Sequence, residues 1–225
     1  DRNDGLGTDA TVDSNRHAWM FKRAPGFIDV VAYTGTGSAT TINHNLGAVP
    51  EMMWIKNRDD SESWSVYHKD KGADKNMWLN DNSAGIPNDR FNNTTPTASV
   101  FSVKTDNAVN SSGDDYIAYL FATLPGISKI GSFSGTGSAN NIDCGFTSGA
   151  RFVLIKRADS TGDWFVFDTS RGMVSGDDFF LKLNTTAAQT GGDDYIDPYA
   201  TGFTINGTYS GLNASGGTYL FLAIA

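Results

Sequence analysis

Cysteine occurs once in this chain, at Cys144, so no intrachain disulfide can staple the fold. Histidine occurs three times, at His17, His44 and His68, and glutamate only twice, at Glu51 and Glu62. A chain this poor in glutamate and rich in aspartate, asparagine and glycine favours tight turns over helices. Lysine and arginine number 17 against 25 acids, a formal net charge of −8. That charge repels a phosphate backbone, so nucleic acid is not an expected partner. The basic clusters Phe21-Lys22-Arg23 and Lys156-Arg157 are too short to change this. The longest apolar run, Tyr219-Leu220-Phe221-Leu222-Ala223-Ile224-Ala225, is far too short to span a bilayer. No membrane insertion and no signal peptide are expected. The first residue is Asp1 rather than Met, which suggests a fragment or a processed product.

What the chain does have is an internal repeat at a spacing of about one hundred residues. Tyr33-Thr34-Gly35-Thr36-Gly37-Ser38-Ala39 returns as Phe133-Ser134-Gly135-Thr136-Gly137-Ser138-Ala139. Pro25-Gly26 returns as Pro125-Gly126, Ile55-Lys56 as Ile155-Lys156, and Trp64-Ser65-Val66-Tyr67 as Trp164-Phe165-Val166-Phe167. Further on the halves slip by a few residues, as loop insertions would cause. Asn110-Ser111-Ser112-Gly113 with Tyr116 then matches Asn213-Ala214-Ser215-Gly216 with Tyr219. Two domains are expected, at 25–124 and 125–225, each long enough for a core. Residues 1–24 lie outside the repeat and read as an extended arm or linker. The apolar clump Trp19-Met20-Phe21 in that arm is the candidate assembly contact, to the first domain or to a neighbouring subunit.

Strand signals are dense. Met52-Met53-Trp54-Ile55 is a short continuous apolar run, suited to a strand buried on both faces. Phe152-Val153-Leu154-Ile155 and Trp164-Phe165-Val166-Phe167 flank the turn 159–163 and read as a hairpin. Thr204-Ile205-Asn206-Gly207-Thr208-Tyr209 carries Asn-Gly between β formers, the strongest short hairpin signal. No segment shows a capped helical period. The expected fold is all-β: two tandem β-sandwiches of jelly-roll-like kind behind an N-terminal arm.

Motifs with chemical meaning are few. The two Gly-Thr-Gly runs lack the third glycine and the helix of a dinucleotide site, so they read as turns. Gly113-Asp114-Asp115-Tyr116, Gly176-Asp177-Asp178-Phe179 and Gly192-Asp193-Asp194-Tyr195 pair carboxylates at turns, which suits Ca²⁺ but equally suits a turn entering a strand. A structural Ca²⁺ is the only cofactor the residues leave room for. No histidine sits in a hydrolase, zinc or kinase signature, and His68, replaced by Asp168 in the second half, reads as a surface side chain. Six Asn-x-Ser/Thr sites occur, at Asn92, Asn93, Asn110, Asn184, Asn206 and Asn213, in stretches where turns need those residues anyway. Aromatics make up 12% of the chain and offer faces on which sugars stack. Trp64 and Trp164 recur and read as core. Trp54 and Trp78 lack aromatic counterparts and, with Tyr67 and His68, are the candidate ligand-binding residues.

Longer strings resemble a known family. They include Phe21-Lys22-Arg23-Ala24-Pro25-Gly26-Phe27-Ile28-Asp29-Val30-Val31, His44-Asn45-Leu46-Gly47, Tyr116-Ile117-Ala118-Tyr119-Leu120-Phe121-Ala122 and Gly149-Ala150-Arg151-Phe152-Val153-Leu154-Ile155-Lys156-Arg157. Across about residues 20–225 the chain resembles a tandem β domain of tail-fibre and other virion structural proteins from marine and cyanobacterial bacteriophages. That domain has no assigned function, so there are no catalytic residues to carry over. The resemblance implies a non-enzymatic virion appendage protein, a homotrimer in contact with other virion proteins, that binds a host cell-surface glycan or protein. A purely structural virion or capsid-decoration component and a polysaccharide depolymerase are the rival readings.

Overall fold

The computed structural model describes residues 19–225. Most of the expected arm, residues 1–18, lies outside the described residues, and His17 with it. The first repeat forms β1 (Ile28–Thr34), β2 (Thr40–Asn43), β3 (Met52–Asn57), β4 (Ser65–His68), β5 (Lys75–Trp78), β6 (Ile86–Pro87), β7 (Val100–Val103), the four-residue helix α1 (Asn107–Asn110) and β8 (Asp115–Phe121). The second forms β9 (Ser128–Ser134), β10 (Asn140–Asp143), β11 (Phe152–Arg157), β12 (Trp164–Asp168), β13 (Asp178–Lys182), β14 (Thr190–Asp193), β15 (Ile196–Tyr199), β16 (Gly202–Ile205) and β17 (Thr218–Ile224).

Each repeat builds one six-stranded antiparallel sheet, β1-β8-β3-β4-β5-β6 in the first and β9-β17-β11-β12-β13-β14 in the second. The two orders correspond strand for strand. A smaller sheet completes each sandwich: β2-β7 in repeat one and β10-β16-β15 in repeat two.

Side chains alternate across each strand, and here both faces are buried. Met53 and Ile55 point into the core of repeat one, with Phe101, Val103 and Tyr116. Val153, Ile155, Phe165 and Phe167 point into the core of repeat two, with Phe203 and Ile205. The intervening residues form a third core shared by both repeats: Met52, Val66, Met77 and Phe121 from one side, Phe152, Leu154, Trp164, Val166, Leu220 and Leu222 from the other. The two large sheets therefore pack on each other, each with its small sheet on the outer face. The apolar run at 52–55 is continuous because it feeds two cores.

The repeated Gly-Thr-Gly turns follow β1 and β9. A Cβ on Gly35 would sit 2.0 Å from the Ser111 carbonyl oxygen, and one on Gly135 2.2 Å from that of Ala214, so only glycine fits. A fully buried asparagine locks each turn. Asn110 accepts from the Thr36 amide (2.8 Å) and donates to the Ser38 carbonyl (2.7 Å). Asn213 accepts from the Thr136 amide (2.9 Å) and donates to the Ser138 carbonyl (2.7 Å). These two Asn-x-Ser sites thus serve the fold.

The hairpin expected at Asn206-Gly207 does not form. β16 ends at Ile205 and no strand begins before β17. The Tyr209 ring stacks on Tyr195 at 5.0 Å and its carbonyl accepts from the Asn213 amide at 2.7 Å, so tertiary contacts override the local turn preference. The hairpin of β11 and β12 does form, in register from Lys156↔Trp164 to Phe152↔Asp168.

Candidate functional site

Trp78 ends β5, and the turn behind it carries the chain towards β6. This turn is polar and cannot extend the sheet, so it folds back on side chains. Asn80 accepts from the Trp64 amide at 3.1 Å and donates to the Ser63 hydroxyl at 3.1 Å. Asp81 accepts from the Ser83 amide at 2.6 Å and from the Ser83 hydroxyl. The Ser83 hydroxyl bond, then the Ser83 amide bond, hold the Asp81 carboxyl below its ordinary value, so it is ionised at neutral pH. Ser63, Trp78, Asn80, Asp81 and Ser83 line an open pocket of about 310 Å³. The Arg90 guanidinium lies 5.5 Å from the Trp78 ring centre and pairs with Asp106 at 2.9 Å, so its charge is already neutralised.

Repeat two has the same framework with different side chains around it. Asn184 accepts from the Trp164 amide at 2.8 Å and donates to Asp163 at 2.8 Å, as Asn80 does with Trp64 and Ser63. The strand register places Lys182 opposite Phe165 where Trp78 lies opposite Ser65. Lys182 and Asp163 form an ion pair at 2.7 Å. An aromatic ring and a hydroxyl in one repeat are thus an ion pair in the other.

Of the residues singled out in the sequence, only Trp78 reaches this pocket. Tyr67 is enclosed in the core of repeat one, with its ring 5.6 Å from that of Phe91. Burial, then the Asp70 and Glu51 charges, push its hydroxyl up to about 12. His68 is not a surface side chain. It has no exposed area, because it continues the Val66 face of β4 towards the other repeat. Burial pushes its imidazole down to about 4 against the pull of Asp70, so it is neutral at pH 7. Trp54 is half-buried and packs on Phe121 at 4.6 Å, beside the shared core. Tyr67 and His68 are thus enclosed, and Trp54 lies outside the Trp78 pocket.

The assembly-contact candidates fold back onto their own chain. Trp19 donates to Asp168 at 2.9 Å and sits 6.0 Å from Phe152, with the Arg171 guanidinium 5.2 Å from its ring. Phe21 lies between Phe152 (5.6 Å) and Phe27 (6.3 Å). The arm therefore clasps both repeats at once. Met20 alone points outward, 79% exposed. Asp168, the counterpart of His68, is the anchor of this clasp. Its burial opposes ionisation, but the Trp19 and Arg171 hydrogen bonds outweigh that and hold its carboxyl below the ordinary value.

One carboxylate of each Gly-Asp-Asp turn accepts hydrogen bonds within the fold. Asp114 accepts from the Asn57 amide group at 2.9 Å, Asp178 from the Tyr195 and Ile196 backbone amides at 3.0 and 2.8 Å, and Asp194 from the Asn206 amide group at 2.6 Å. Among the described residues no three His, Cys, Asp or Glu side chains converge as metal ligands would. His44 Nε2 lies 3.1 Å from the Thr97 carbonyl, and Cys144 is buried. The Trp78 pocket thus offers a ring, hydroxyls, an amide and a carboxylate, and neither described histidine lines it.

A family model described as Domain of unknown function (DUF7483) matches residues 7–225. The chain belongs to that family. The match spans both repeats and most of the expected arm, so the family's unit is the pair with its clasp. No curated protein and no solved structure matches the chain.

Asp81 and Ser83 fall in the 81–97 loop, where the two halves of the sequence disagree, but Ser63 and Asn80 escape the sequence. Asn80 and Asn184 are equivalent but lie 104 residues apart, so the simple hundred-residue offset does not pair them. The signal that could have found them is the Trp-to-Asn spacing, 64 to 80 and 164 to 184, once the loop insertion is allowed for.

Proposed function

We propose that this chain is a non-enzymatic module of a bacteriophage appendage, and that it recognises an uncharged glycan of the host surface at the Trp78 pocket. One observation carries the reading: the framework of Asn80 and Asn184 is shared, but in repeat one it lines a pocket with Trp78 where repeat two has the Lys182–Asp163 ion pair. Ser63 and Trp78 are replaced in repeat two by Asp163 and Lys182. A pyranose has one face of C–H groups that packs on an indole ring and a rim of hydroxyls that needs polar partners. The ionised Asp81 accepts hydroxyl hydrogen bonds strongly, and the same charge repels acidic sugars. The formal charge of −8 acts in the same direction. In this reading the chain works outside the cell, in the virion, as part of a homotrimer held by other virion proteins.

A glycan array followed by calorimetry on the isolated chain tests the proposal. Binding to neutral host glycans is expected, and the double substitution Ser63→Asp with Trp78→Lys is expected to abolish it. Repeat two already carries that pair of residues in the same framework, so the variant should fold. A chain that binds no glycan from any susceptible host defeats the reading. So does binding that survives the double substitution. Labelling of intact particles with an antibody to the chain checks the appendage location.

A further inference from the structure

Three hydrogen bonds tie the wall of the Trp78 pocket to the other repeat. Trp164 Nε1 donates to the Trp78 carbonyl at 2.8 Å. Lys156 Nζ donates to the Asn82 carbonyl at 3.2 Å, and the Gly162 amide donates to the same carbonyl at 2.9 Å. All three donors come from the β11–β12 hairpin of repeat two. Both acceptors lie on the segment that makes the pocket, and Asn82 sits between the lining residues Asp81 and Ser83.

Equivalent lysines show that this is not a by-product of the fold. Lys56 donates to the carbonyls of Asn57 and, at 2.9 Å, Asp60, both in its own repeat. Lys156 keeps the first of these bonds, to the Arg157 carbonyl at 2.7 Å, but sends the second across to Asn82. It is wholly buried, whereas Lys56 is half-buried. Burial pushes the Lys156 ammonium down to about 8, and Asp81 and Asp163 act against that shift. A buried ammonium costs desolvation that a hydrocarbon side chain of the same length would not. At this position it holds a carbonyl beside a pocket residue, which a hydrocarbon cannot do. A loop held in its binding shape loses less conformational freedom when ligand arrives.

We infer that Lys156 and Trp164 are positioning residues for the Trp78 pocket, so that repeat two holds the pocket of repeat one in shape. This rests on the proposed reading of that pocket as a binding site.

The test uses Lys156→Met and, as a milder change, Trp164→Phe in the full chain. Without ligand, amide hydrogen exchange at Asp81, Ser83 and Gly162 is expected to speed up about tenfold, because local opening of the loop becomes easier. Exchange at Thr36 and Thr136, in the turns locked within each repeat, is expected to stay unchanged. Affinity for the neutral glycan should fall by about tenfold in both variants while Trp164→Phe still melts cooperatively as a folded chain. Unchanged exchange at the three loop amides overturns the inference whether or not a glycan binds. Faster exchange with unchanged glycan affinity overturns the positioning role. Faster exchange in a chain that binds no glycan defeats the binding reading and supports the loop's dependence on repeat two. Should Lys156→Met not fold, Trp164→Phe decides.

Discussion

Asn110 and Asn213 do the same work in the two repeats, each bonding a Gly-Thr-Gly turn of its own repeat. The Trp64/Trp164 pair behaves differently. Trp164 has no exposed area and bonds across to Trp78, whereas Trp64 is half-buried and lies 6.1 Å from Tyr119 of its own repeat. Lys56 and Lys156 keep the residue and change the partner, and His68 and Asp168 keep neither. At the Gly-Thr-Gly turns, whose partners lie inside one repeat, residue and bond are both kept. Where the side chain faces the other repeat, the two copies meet different surroundings and diverge. Two copies packed face to face need to be complementary, not identical.

The largest expected effect separates the tryptophans. Trp164→Ala removes a fully buried indole from the shared core and should cost about 4 kcal/mol in urea unfolding. Trp64→Ala, at the partly exposed counterpart, should cost less than about half of that. Equal losses would break the comparison.

Next comes pH, where the same repeat position titrates in two windows. His68 in the folded chain sits near 4 against an ordinary 6.5, so the unfolded chain takes up the proton first. Stability therefore falls as pH drops from about 6.5 to about 4, by on the order of 3 kcal/mol. His68→Gln should flatten that limb. Asp168 is shifted downwards, so its contribution is present above its ordinary value of 3.8 and is lost as pH falls below it. Asp168→Asn should change stability above that value and leave the His68 limb in place. Thermal melts across this range, compared among the three chains, read both windows.

A smaller effect sharpens the comparison of the sites. Trp78→Ala should weaken glycan binding at least tenfold, about 1.4 kcal/mol. Lys182→Ala, its structural counterpart, should leave binding unchanged and cost under about 1 kcal/mol of stability, because its ion pair with Asp163 is partly exposed. Loss of binding in Lys182→Ala would place the site elsewhere.

Much of this architecture is legible in the sequence. The repeat marks two units, and the run at 52–55 marks strands buried on both sides. The disagreement between the halves directs attention to Trp78. What the sequence does not show is which surfaces meet over long range. His68 reads as exposed because nothing near it in the chain says that β4 faces a second sheet. The clump Trp19-Met20-Phe21 reads as a contact to the first domain or a neighbouring subunit; Trp19 docks on the second repeat, and Phe21 lies between Phe152 of the second and Phe27 of the first. Asn80 is hidden because a four-residue slip removes it and Asn184 from alignment. Local turn chemistry misleads once, at Asn206-Gly207, where contacts of Tyr209 decide.

The shared core has a consequence for how the molecule is made. A chain emerges from the ribosome N-terminus first, and domains fold as they emerge. Met52, Val66, Met77 and Phe121 are covered by residues between 152 and 222, which are synthesised later. Trp19 and Phe21, which dock on Phe152 and Asp168, also find their partners only later. Repeat one must therefore wait, folded or half folded, with an apolar sheet face open to water and to neighbouring nascent chains. The second repeat that closes this face acts, during synthesis, as a late-arriving intramolecular chaperone for the first.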